Sequence, residues 1–188
     1  MSLEGTRVAL LIEDDYQEME AWYPFYRLTE AGAAVTVVGS GTKTEYKSKL
    51  GYPMEADVAA ADVSADDFDA VVVPGGFAPD HMRLCKPMVE LVRDLHQSGK
   101  LVSSICHGGW MLASADVVRG RRVTGYLPIK DDVENAGGEW VDASVVIDGN
   151  LITSRTPPDL PDFAGAIVEY LETTSRSAEP SAAAAAAS

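Results

Sequence analysis

The chain has 188 residues, 46% of them hydrophobic, which suits one domain with a real core, and no apolar run approaches the roughly 20 residues of a membrane helix. Fifteen Lys and Arg against 29 Asp and Glu leave a net charge of −14, which argues against binding nucleic acid or an anionic membrane through bulk charge. The start, "MSLEGTRVALLIEDD", has an acid where an export signal wants bases, and two cysteines make no disulfide framework, so the cytoplasm is the expected compartment.

"RVALLI" (Arg7 to Ile12) is a continuous apolar run, the mark of a strand covered on both faces. "DDYQEMEAWYPFYRLTEAG" then predicts a helix, with acids at its start and Gly32 to close it; Pro24 inside it predicts a kink or a break. "AVTVVG" is a second strand, and Thr42 to about Val63 reads as short strands or hairpin pieces. "DAVVVPGG" is a third buried strand ending in a glycine turn. "KPMVELVRDLHQSGK" has Pro87 in its first turn, Met88, Leu91, Val92 and Leu95 on one face and Gly99 at its end, which makes an amphipathic helix. "LVSSICHGGWMLAS" supplies a fourth strand and a helix, "VVIDGNLITS" a hairpin, and "DLPDFAGAIVEYLETT" a closing amphipathic helix. Residues 1–173 therefore form one domain, and 174–188 are a low-complexity tail, frayed helix or disordered. Apolar strands alternating with helices predict an α/β three-layer sandwich, a mostly parallel sheet with helices on both faces. Sites in such sheets lie beyond the carboxyl ends of the strands, where Glu20, the Pro-Gly-Gly turn and Cys106 all fall.

Cys106 stands at the corner between strand and helix, with Gly108 and Gly109 letting the helix start close by. A thiol at a helix N-terminus feels a positive dipole end, which predicts a lowered pKa. His107 serves as its base only if the turn swings the imidazole back, because adjacent helical residues do not face each other. A carboxylate beside a thiolate raises one of the two pKa values, and the expected arrangement is a protonated Glu20 donating to the sulfur anion. That environment also favours oxidation to a sulfinate.

Cys85 reads as structural, His81 as a surface residue, and His96 sits near a helix end, where a cation is favoured. Three scattered histidines have no metal-ligand spacing, "GSGTKT" lacks a third glycine and a following helix, and "KDDVEN" reads as the solvated face of a short helix, so neither metal nor cofactor is expected.

"VVVPGGFAPDHMRL", "SICHGG" and "GYLPIKDDVENAGGEWVDASVVIDGNLITSRTPPDL" resemble the PfpI-type intracellular cysteine peptidases of the DJ-1/PfpI superfamily, over about Arg7 to Glu172. The resemblance implies a glutamine-amidotransferase-like, flavodoxin-type fold. It implies Cys106 as nucleophile, His107 beside it, and Glu20 as the acid that contacts the nucleophile. Gly75 and Gly76 match the backbone oxyanion site, and Tyr126 an aromatic hydroxyl near the pocket. Asp80 matches an acid that reaches His107 of a neighbouring subunit, although most peptidase relatives have glutamate there. Gln17 stands where such relatives often carry another acid, and Gly109 and Trp110 depart from the usual C-H-G-P. The implied function is a cysteine-dependent hydrolase, peptidase- or deglycase-like, with a role in stress response, acting as a dimer or higher homo-oligomer on a peptide, glycated-protein or reactive-carbonyl substrate. The alternative is a non-catalytic redox or carbonyl-stress sensor oxidised at Cys106.

Overall fold

The computed structural model describes residues 2–178, with side chains to 174. The chain order is β1 (Arg7–Ile12), α1 (Glu18–Glu30), β2 (Ala34–Gly39), β3 (Glu45–Lys47), β4 (Pro53–Glu55), β5 (Val58–Ala59) and β6 (Ala70–Val73). Then come α2 (Ala78–Met82), α3 (Lys86–Gln97), β7 (Leu101–Ile105), α4 (Gly109–Ser114), β8 (Arg122–Val123) and α5 (Lys130–Asn135). The chain closes with β9 (Glu139–Trp140), β10 (Val145–Asp148), β11 (Leu151–Ser154) and α6 (Leu160–Ala178). Seven strands form one sheet in the order β10-β11-β7-β6-β1-β2-β5. Every pairing in it is parallel except β10 with β11, the hairpin expected around Asp148–Gly149.

Strands β1, β6 and β7 lie at the centre, and their side chains are buried from Val8 to Ile12, Ala70 to Val73 and Leu101 to Ile105. Helices α1 and α6 pack against each other, and α3 packs against α4, which gives a helical layer on each face of the sheet. Two small pairs stand outside it, antiparallel β3–β4 and parallel β8–β9. This is the flavodoxin-like α/β sandwich expected.

Two local readings change. Helix α1 runs through Pro24 without a break. The one bond a proline forgoes costs about 3 kcal/mol in a helix interior; here Ala21, Pro24 and Leu28 are all buried, and that packing holds the helix together. After the Pro-Gly-Gly turn there is a five-residue helix, α2, that the sequence pattern did not suggest. The last helix continues through Ala178, and the rest of the tail, 179–188, lies outside the described residues.

Candidate active site

The site is assembled at the carboxyl ends of β1, β6 and β7. Strand β7 ends at Ile105, and Cys106 follows in the left-handed region, φ 61°, before one tight turn leads into α4. A non-glycine residue there costs about 1–2 kcal/mol, which the surrounding packing must sustain. The benefit is direction: the sulfur leaves the strand and faces two neighbouring backbone N–H groups, those of Gly76 and His107. Cys106 stays 8% exposed.

After β6 the chain makes its glycine turn against the loop that precedes α1. A Cβ on Gly75 would stand 2.6 Å from Glu20 Oε2 and 2.7 Å from Cys106 Cβ. Gly76 has φ 78°, and a Cβ there would meet Asp15 O at 2.4 Å. Only glycine fits at either place. The Gly75 N–H donates to Glu20 Oε2 at 2.8 Å, so it is spent on the carboxyl group. The amides of Gly76 and His107 are the pair aimed at the sulfur.

Glu20 arrives from the first turn of α1. Gln17 caps that helix, its Oε1 accepting the Glu20 N–H at 3.0 Å. The neutral amide at this position thus fixes the residue beside the sulfur without adding a second negative charge. Glu20 is fully buried, and its Oε1 meets no well-aligned donor. Burial raises the carboxyl from 4.5 to about 7, against the Gly75 N–H and the Cys106 side chain, which lower it. Burial first, then the charge of Glu20, push the Cys106 thiol up to about 12, while the His107 and Gly76 amides pull it down.

The lowering of the thiol pKa expected at a helix start is therefore opposed by burial and by the charge of Glu20. The helix behind Cys106 is one tight turn plus six residues, and desolvation outweighs its dipole. The pair gives up one proton near neutrality and holds the second, which is a property of both groups together. When Glu20 carries the charge, the thiol is the donor, and the thiolate is reached by passing that proton to the carboxylate.

The turn swings His107 back: its Nδ1 lies 3.5 Å from Cys106 Sγ. Burial, with the charge of Lys49, lowers the imidazole pKa and so favours the neutral ring. Three aromatic rings surround it: Trp110 at 4.9 Å between centroids, Tyr126 at 5.0 Å and Phe77 at 6.1 Å. Tyr126 also donates its N–H to Cys106 O at 3.2 Å, and Trp110 Nε1 donates to Asp132 Oδ2 at 2.8 Å, so "KDDVEN" contributes more than a solvated face.

Asp80 lies exposed on α2 and is joined to His107 by no hydrogen bond or ion pair within the chain, among the described residues. His81 makes a 3.6 Å ion-pair contact with Asp15. His96 is not a helix-end cation: burial, with the nearby Arg121, lowers its pKa. Cys85 Sγ contacts Ser40 O at 3.7 Å. Among the described residues no group of three His, Cys, Asp or Glu is placed to hold a metal, and no helix is long and apolar enough to cross a membrane. Sequence reading missed Phe77 and Lys49. Phe77 directly follows the glycine turn, a signal that was there to use; Lys49 reaches the site from the β3–β4 loop, and nothing local marks it.

A surface groove of about 560 Å³ lies elsewhere, between Trp22, Tyr26, Leu50 and Tyr52. Its lining has no cysteine or histidine, whereas Cys106 and His107 meet at the corner after β7.

Comparison with known proteins agrees with this fold. The DJ-1/PfpI family profile matches residues 6–170. The chain belongs to the DJ-1/PfpI family. It is 45% identical to a deglycase of Pyrococcus abyssi, over 88% of this chain and 99% of that one. It is 40% identical to the deglycase PfpI of Pyrococcus furiosus, again over 88% and 99%. The crystal structure of DJ-1beta from Drosophila melanogaster superposes with a TM-score of 0.83 at 33% identity, covering 91% of each chain.

Proposed function

We propose that this DJ-1/PfpI protein is a cysteine-dependent hydrolase that cleaves amide or carbonyl-adduct bonds, of the deglycase type. The observation that carries the reading is the corner itself: a strained cysteine, two backbone N–H groups on its sulfur, an imidazole nitrogen at 3.5 Å and a buried carboxyl group. Both Pyrococcus relatives are named deglycases, which supports adduct removal, while a Bacillus subtilis relative 38% identical is named a putative cysteine protease, which keeps peptide bonds among the candidate substrates.

In this reading Cys106 passes its proton to Glu20 and attacks the electrophilic carbon, forming a C–S bond. The N–H groups of Gly76 and His107 receive the developing oxyanion. The leaving amine or thiol takes the proton that Cys106 had passed to Glu20 as the C–N or C–S bond breaks, and His107 accepts a proton from the water that releases the enzyme and returns it to the sulfur. Trp110, Tyr126 and Phe77 form the walls. Asp80 is a partner for His107 only if a second copy brings it, so a homo-oligomer is part of the proposal. Two free cysteines fit a reducing compartment, hence the cytoplasm, and removal of reactive-carbonyl damage fits a stress role.

Purified protein incubated with methylglyoxal-modified amino acids should release free amine, and the Cys106→Ala protein should not. Equal turnover by the two ends the proposal. The sensor alternative predicts instead no turnover and a stable two-oxygen mass gain confined to Cys106 after mild peroxide.

A further inference from the structure

Lys49 is an unusual cation for this chain. In a molecule of net charge −14 most basic side chains find a carboxylate, as Arg7, Lys43, Lys86, Arg121 and Arg155 do. Lys49 makes no ion pair among the described residues, and its ammonium instead lies 5.4 Å from the centroid of the Phe77 ring. Phe77 is one of the rings around His107.

The backbone holds it there. Ser48 Oγ and the Leu50 N–H both donate to Glu18 Oε1, the latter at 2.8 Å, and the Lys49 N–H donates to Tyr16 O at 3.0 Å. The residues on either side of Lys49 are thus clamped to the first turn of the helix that carries Glu20. The charge of Lys49 acts on Glu20 and on His107, so it stands within electrostatic reach of both members of the site. A second cation, Arg83, lies 5.8 Å from the Trp110 ring, with its Nε donating to Ser114 Oγ at 2.8 Å. Arg83 keeps its charge, but of the two it is Lys49 that stands at Phe77 and acts on both Glu20 and His107.

We infer that Lys49 is a specificity-determining residue, its ammonium receiving a carboxylate that the substrate carries beside the carbon attacked by Cys106. The site then prefers anionic substrates over neutral ones of the same shape. The inference rests on Cys106 as nucleophile, and its test reads alkylation rather than turnover, so it stands or falls apart from the hydrolase reading.

In a Cys85→Ala background, Cys106 is alkylated with iodoacetate and, separately, with iodoacetamide. In each case a C–S bond forms, iodide leaves and the thiol proton is released; the reagents differ only in carrying a carboxylate or a neutral amide. The iodoacetate-to-iodoacetamide rate ratio should fall roughly three- to tenfold in Lys49→Gln at low salt, the size of a partly screened ion pair. Lys49→Arg should keep the ratio, Lys47→Gln, which removes the same charge from the same hairpin, should leave it unchanged, and high salt should shrink the native preference. An unchanged ratio in Lys49→Gln, or an equal fall in Lys47→Gln, overturns the inference. The iodoacetamide rate in each variant reports whether the corner is intact.

Discussion

The two cysteines make a controlled comparison within one molecule. Cys85 is the N-cap of a full twelve-residue helix, α3, and by the dipole argument alone it is the better placed of the two. Yet it has ordinary extended backbone, φ −91°, and its sulfur contacts one carbonyl. Cys106 precedes a far shorter helix but sits in a left-handed bend, under two N–H groups, beside an imidazole and a buried carboxyl group. A helix start does not make a nucleophile. What distinguishes Cys106 is the convergence of three strand ends on one sulfur, and its strain is sustained by core packing that Cys85 does not need.

The largest test of that contrast is turnover. Cys106→Ala should reduce adduct hydrolysis to background, a loss of about three orders of magnitude or more, while Cys85→Ala stays within about twofold. A comparable loss in both would erase the distinction.

Next is the pH dependence of stability. Glu20 titrates at about 7 in the folded protein against 4.5 unperturbed, so the fold favours its protonated form. The stability this contributes is complete below pH 4.5 and is lost as pH rises through about 7, to the extent of roughly 3 kcal/mol. Glu20→Gln keeps an acceptor for the Gly75 N–H and carries no charge. Its urea-unfolding free energy should lack that fall and exceed the native value at pH 8; parallel profiles for the two proteins would sharpen the case against a buried, proton-bearing Glu20.

The smallest effect concerns the backbone. At φ 61° glycine is relieved of a penalty that alanine keeps, so Cys106→Gly should be about 1 kcal/mol more stable than Cys106→Ala. At Cys85, in extended conformation, the order should be the reverse. Denaturation midpoints of the four proteins check both signs.

Much of the fold was legible because the central strands are apolar throughout and are punctuated by glycine turns, signals that survive without knowledge of tertiary structure. Helix α2 was not, since five residues carry too little propensity to stand out, and Pro24 does not break its helix because buried neighbours decide whether a helix continues through it. In the site, the Cys106 corner, Glu20 and the two glycines announce themselves by position after strand ends. The proton balance between Cys106 and Glu20 does not, because it depends on burial rather than on residue type. Lys49 was invisible for a similar reason: a β3–β4 loop clamped to Glu18 brings it to a ring that follows β6.

The central claim, that sulfur and carboxyl group share their protons, is tested most directly by the pH profile of Cys106 alkylation by iodoacetamide in the Cys85→Ala protein, with and without Glu20→Gln. The account predicts a first rise in rate centred near pH 7, a plateau and a second rise toward pH 12. With Glu20→Gln those two rises should merge into one, at a pH below 12. A single rise near the ordinary thiol value of 9.0, identical in both proteins, would contradict it.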